Sequence, residues 1–90
     1  MEKGVITVVG QDQIGIIGKV CSFLADHQIN ILDISQTIID EYFNMMMIVD
    51  ITSKGDELGD IAKEIAKLGQ EIGVDIKLQH ENIFRKMHRL

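Results

Sequence analysis

Apolar and polar positions alternate along this chain in two periods, and the switches between them mark its elements. Val5-Ile6-Thr7-Val8-Val9 is a β-branched run with apolar residues on both parities. That predicts a central strand with cover on both faces, closed by Gly10. From about Gly15 to His27 the period becomes helical. Ile17, Val20, Cys21 and Leu24 fall at i, i+3, i+4, i+7 on one face, widened by Ile16 and Phe23. Ile29 to Ile39 reads as a second strand, with Leu32, Ile34, Gln36 and Ile38 on one face and Asp33, Ser35 and Thr37 on the other. Asp40-Glu41 is the expected turn tip. Phe43, Met45, Met47, Val49 and Ile51 then alternate with Asn44, Met46, Ile48, Asp50 and Thr52. This is a third strand with one strongly buried face, joined to the second as an antiparallel hairpin.

Ser53-Lys54-Gly55-Asp56 reads as a turn, with Ser53 or Asp56 available to cap the next helix. Leu58, Ile61, Ala62, Ile65, Ala66, Leu68, Gly69 and Ile72 keep helical spacing, and Gly73 suits the left-handed position that ends such a helix. Val74, Ile76 and Leu78 alternate in a fourth strand. Ile83, Phe84, Met87 and Leu90 suggest a short terminal helix with an apolar edge. The order β-α-β-β-α-β predicts an α+β, ferredoxin-like fold: a four-stranded antiparallel sheet with two helices on one face and a helical tail. Strand one is then central, and strands two and four are edges. Met46 and Ile48 face the side without those two helices, where the tail or a second subunit could cover them.

Composition bounds the rest. Ninety residues make one domain, with a core over about 4–80 and a tail over about 81–90. A net charge of −5 argues against nucleic acid, which is held by neutralising phosphates, and against an anionic membrane surface. The single cysteine excludes an intrachain disulfide and a cysteine-based metal site. Met1-Glu2-Lys3 runs directly into a strand without a signal pattern, so a cytoplasmic protein is expected.

The stretch Gly10-Gln11-Asp12-Gln13-Ile14-Gly15-Ile16-Ile17-Gly18-Lys19-Val20 holds the candidate site. Glycines let the backbone turn at both ends, and Asp12 can accept from the first free N–H groups of the helix. The helix dipole adds attraction for an anionic group such as a carboxylate. The alternative is a tight turn with an ordinary cap. The spacing is no phosphate loop, because the Gly-Lys-Ser/Thr ending is missing. His27, His80 and His88 have no metal-ligand spacing, with His80 and His88 the one pair to check. Cys21 on an apolar helix face reads as an inert core thiol. Two of the three residues Met45-Met46-Met47 fit core parity. Arg85, Lys86, His88 and Arg89 read as a solvated helix end. No nucleophile–base pair is visible, so an enzyme is not expected, and neither a cofactor nor a metal is expected.

The turn motif, together with Gln28-Ile29-Asn30-Ile31, resembles the start of an ACT domain, which often shows Gly-x-Asp-Arg-Pro-Gly-Leu/Ile, a helix, and then Gly-x-Asn-Ile. The resemblance spans about residues 4–80 and is nearest to short stand-alone bacterial members. The tail Gln79-His80-Glu81-Asn82-Ile83-Phe84, with Met87-His88-Arg89, resembles the tail of that subgroup. Gln13 and Ile14 stand where the family usually has Arg and Pro. The resemblance implies a regulatory domain that binds a small molecule, usually an amino acid, at a homodimer interface. It implies ligand contacts from Asp12, backbone N–H groups of Gly15 and Ile16, and Asn30 of the other subunit. The alternative expectation is a ligand-free dimerisation or docking module for a metabolic enzyme or transcription regulator.

Overall fold

A computed structural model describes residues 1–11 and 14–87. The elements run β1 (Lys3–Gln11), α1 (Ile16–Asp26), β2 (Asn30–Ile39), β3 (Tyr42–Asp50), a 3-10 turn (Thr52–Glu57), α2 (Leu58–Ile72), β4 (Val74–His80) and α3 (Glu81–Met87). The sheet order is β2-β3-β1-β4, antiparallel throughout. This is the expected ferredoxin-like arrangement, with β1 central and β2 and β4 at the edges.

The core lies between the sheet and α1 and α2. Ile6 and Val8 from β1 meet Phe43, Met45, Met47 and Val49 from β3, and Ile76 and Leu78 from β4. Ile16, Val20 and Leu24 of α1 and Ile61 and Ile65 of α2 close it from above. Full burial of one such aliphatic side chain is worth about 1.5–3 kcal/mol. The buried stripe of α1 is thus centred nearer Ile16 than the spacing predicted. Ile17 is exposed and Cys21 half-buried, because a single sheet covers only one stripe of the helix.

Three local features differ from expectation. Gly10 does not close β1, which runs on through Gln11, paired to Tyr42. A Cβ at Gly10 would lie 2.7 Å from Val74 Cγ1, so the glycine is required by close packing within the sheet. Neither Ser53 nor Asp56 caps α2. The 3-10 turn leads straight into it through Glu57, leaving no extended residue to turn a capping side chain inward. In β2 a bulge at Leu32 interrupts the ladder between Ile31 and Asp33. One extra residue reverses the alternation. Ile31, Ile34, Gln36 and Ile38 therefore share the helix side, and Leu32 does not extend that series. Gly73 takes the expected left-handed conformation, φ 82°, at the end of α2.

The end of α1 is closed by an arrangement that the sequence conceals. The Gln28 N–H donates to the Ala25 carbonyl at 3.0 Å, and the Ile29 N–H to the Leu24 carbonyl at 2.8 Å. Gln28 itself is left-handed, φ 57°. This is a Schellman motif with glutamine at the position glycine usually holds. Ile29 and Leu24, both buried, supply its apolar contact.

Candidate functional site

The β1–α1 turn brings an exposed backbone to the rim of the sheet. Gly15 is the N-cap of α1, with φ 90° and ψ 0°, a conformation costly to any residue with a Cβ. The space where its Cβ would lie is open. The first intrahelical bond runs from the Lys19 N–H to the Gly15 carbonyl at 3.0 Å. The N–H groups of Ile16, Ile17 and Gly18 therefore precede the helical ladder, and no side-chain cap bond is made there among the described residues. The Ile16 side chain, 3% exposed, anchors the helix start in the core while its backbone stays at the rim. No acidic residue lies in the first turn of α1 itself, so among the described residues nothing there offsets the positive end of the helix dipole. Asp12, the expected cap and ligand contact, lies outside the described residues.

The rim beside this turn is formed by a row of paired residues: Gln11 opposite Tyr42, and Tyr42 opposite Ile39. Tyr42 and Ile39 are 51% and 62% exposed. These neighbours were missed in the sequence. The only available signal was the chain's single tyrosine just after a hairpin tip.

Asn30 is elsewhere. It begins β2 opposite Asp50, which in turn pairs with Lys3 at the start of β1. It thus sits at the opposite end of the sheet from the turn. Ile29 and Ile31 turn toward the core, so Asn30 turns to the other face. Within one chain Gly15 and Ile16 are brought together, and Asn30 is held far from both.

The β2 edge is the second unusual surface. Every residue from Leu32 to Ile39 is exposed, and among the described residues no strand pairs with its outer side. On the helix side, Ile34 and Ile38 are 44% and 56% exposed. An unpaired ten-residue edge with apolar side chains is normally covered in a folded protein.

Other polar groups have structural partners. His27 Nε2 lies 2.8 Å from Glu64 Oε2, and the ring packs edge-on to Phe23. That pair stands beside an open groove of about 370 Å³ between the end of α1, the 3-10 turn and α2. His80 Nδ1 accepts from the Asn82 N–H at 3.0 Å, which leaves Nε2 to donate to Glu2 at 3.1 Å. Among the described residues no group of three His, Cys, Asp or Glu is arranged to hold a metal ion, and no helix is long and apolar enough to cross a membrane. His88 lies outside the described residues.

Comparison with known proteins agrees with this architecture. The family model for an ACT domain matches residues 3–79. A UPF0237 protein of Bifidobacterium longum is 56% identical over 90 residues, the full length of both chains. An ACT domain protein from Streptococcus pneumoniae superposes with a TM-score of 0.81 at 40% identity, covering 92% of this chain and 93% of that one. The regulatory subunit of aspartate kinase from Thermus thermophilus shares the fold, with a TM-score of 0.66 at 22% identity, covering 87% of this chain and 50% of that one. With a family match across nearly its whole length and a full-length relative 56% identical, the chain belongs to the ACT domain family.

Proposed function

We propose that this protein is a non-catalytic sensor that binds a small amino acid between two copies of itself. ACT domains are generally regulatory domains that bind small molecules, often amino acids. The observation that carries the reading is the separation of the β1–α1 turn from Asn30 within one chain, combined with the unpaired β2 edge. If two β2 edges pair antiparallel about a two-fold axis at Ser35, with the Leu32 bulge passed over, Asn30 of one copy comes opposite Ile39 of the other. The row then reads Asn30 of the second copy, Ile39, Tyr42, Gln11. Three strand spacings make about 14 Å, a width that side chains from both banks and a small zwitterion can bridge. The ligand carboxylate would accept from the N–H groups of Gly15 and Ile16, its ammonium would meet Asp12, and Asn30 would complete the site.

Calorimetric titration with a panel of amino acids tests this. Heat with at least one of them, lost in Asp12→Ala and in Asn30→Ala, is the expected outcome. Silence across the panel at millimolar concentration rejects it. The exposed Ile34 and Ile38 also favour a second reading, a docking module without ligand. Capture of one specific protein partner regardless of added amino acid would select that reading.

A further inference from the structure

The open face of the sheet, opposite α1 and α2, is covered over only part of its area. α3 folds back beneath β4 and β1, where Gln79 Nε2–H donates to Met87 Sδ at 3.1 Å. Val5, which faces this side, is reduced there to 3% exposure. Beyond α3 no described residue covers the face. Val9, Ile39, Tyr42 and Met46 are 48%, 62%, 51% and 41% exposed. The ladder places them on successive rows: Met46 opposite Thr7, Val9 opposite Asn44, Tyr42 opposite Ile39. On β1, β2 and β3 the other side chains in these rows are hydroxyls and amides without charge. On α3 itself Ile83 and Met87 are 53% and 63% exposed, Met87 at the margin of the contact with Gln79.

We propose that this bare half is the seat of α3 from a second copy, the two chains exchanging contacts about a two-fold axis. The sizes agree. Three strands by three rows span about 10 by 14 Å, and a seven-residue helix is about 10 Å long and 10–12 Å wide. The arrangement is self-complementary, as a two-fold interface must be: each α3 covers its own half of one face and fills the empty half of the other. Charge agrees too. From Glu81 onward the chain carries three basic residues against one acidic, whereas residues 1–80 carry six against thirteen. Asp33 on β2 and Asp75 on β4 border the bare patch together with Lys77, opposite Thr7, so its rim keeps one net acidic charge toward a helix that carries Arg85 and Lys86 in its last turn. This interface uses the open face and leaves the β2 edge free, so the two together build a four-chain assembly.

Sedimentation of the full chain over a dilution series tests the proposal. The wild type is expected at four times the 10.1 kDa chain mass. Met46→Glu and Ile83→Glu, both at exposed positions, should each reduce it to two chains, while Met46→Leu keeps four. Ile38→Asp, which attacks the β2 edge, should also leave two chains, now held through α3. That species persists if the edge-paired amino-acid site fails, so the two readings are separable. A wild type never larger than two chains whose mass is unchanged by Met46→Glu overturns the proposal. So does a four-chain wild type that Met46→Glu leaves intact with a native circular dichroism spectrum.

Discussion

Gln28 shows how much one backbone angle can matter. Its left-handed φ of 57° is imposed by two hydrogen bonds that end α1. The family motif has glycine there, and the structure shows why: a left-handed residue with a Cβ costs about 1–2 kcal/mol. Part of the gain on removing the Cβ is lost again to the greater freedom of an unfolded glycine. Gln28→Gly is therefore expected to stabilise the protein by about 1 kcal/mol, read as a rise in the urea midpoint. No change in the midpoint would mean that the angle carries no strain. Asp50 is a second such residue. The Thr52 hydroxyl at 2.6 Å and the Thr52 N–H at 2.9 Å donate to its carboxylate and hold it below the usual aspartate range. A depressed carboxyl contributes stability that is present above the unfolded value, about pH 4, and is lost as pH falls through the folded value. Asp50→Asn should therefore flatten the acid limb of a stability–pH curve below about pH 4 and leave its neutral shape unchanged. An unaltered acid limb would remove Asp50 from that role.

Elements were legible where periodicity was strong. The alternation from Phe43 to Ile51 and the spacing from Leu58 to Ile72 are both found in the structure. What escaped was set by geometry that residue type does not encode. Nothing in Ile29 to Ile39 distinguishes Leu32 as the extra residue, since β-branched residues surround it. The 3-10 turn before α2 looked like an ordinary loop because its Ser, Gly and Asp suit both. For the site, Gly15 was legible because only glycine sits readily at its φ. Tyr42 and Ile39 were not, because their place at the rim depends on the pairing of three strands. α3 was visible only as an apolar edge, and its seat depends on His80, whose Nδ1 holds the Asn82 N–H while Nε2 reaches Glu2. His80→Ala removes both anchors. Hydrogen exchange at the amides of Glu81 to Met87 should then speed up several-fold while the β1 and β3 amides keep their protection. Equal acceleration throughout would show that the histidine supports the whole fold rather than this helix.

At the scale of the molecule, a ninety-residue chain has little stability to spare, and this one leaves apolar side chains bare on two separate surfaces. If copies of the chain cover those surfaces, folding and association are linked, and the melting temperature must rise with protein concentration. A chain that folds alone shows no such rise. Ile38→Asp and Met46→Glu each remove one surface and should each weaken the dependence. The double variant should abolish it, melting at one low temperature at every concentration. The single-variant effects should add nearly independently, because Ile38 faces α1 and α2 across the sheet from Met46. A ligand bound between β2 edges would raise the melting temperature of Met46→Glu and leave that of Ile38→Asp unmoved. That contrast assigns the amino-acid response to one surface and the assembly to both. A wild type whose melting temperature is independent of concentration would instead place the whole stability of this fold within one chain.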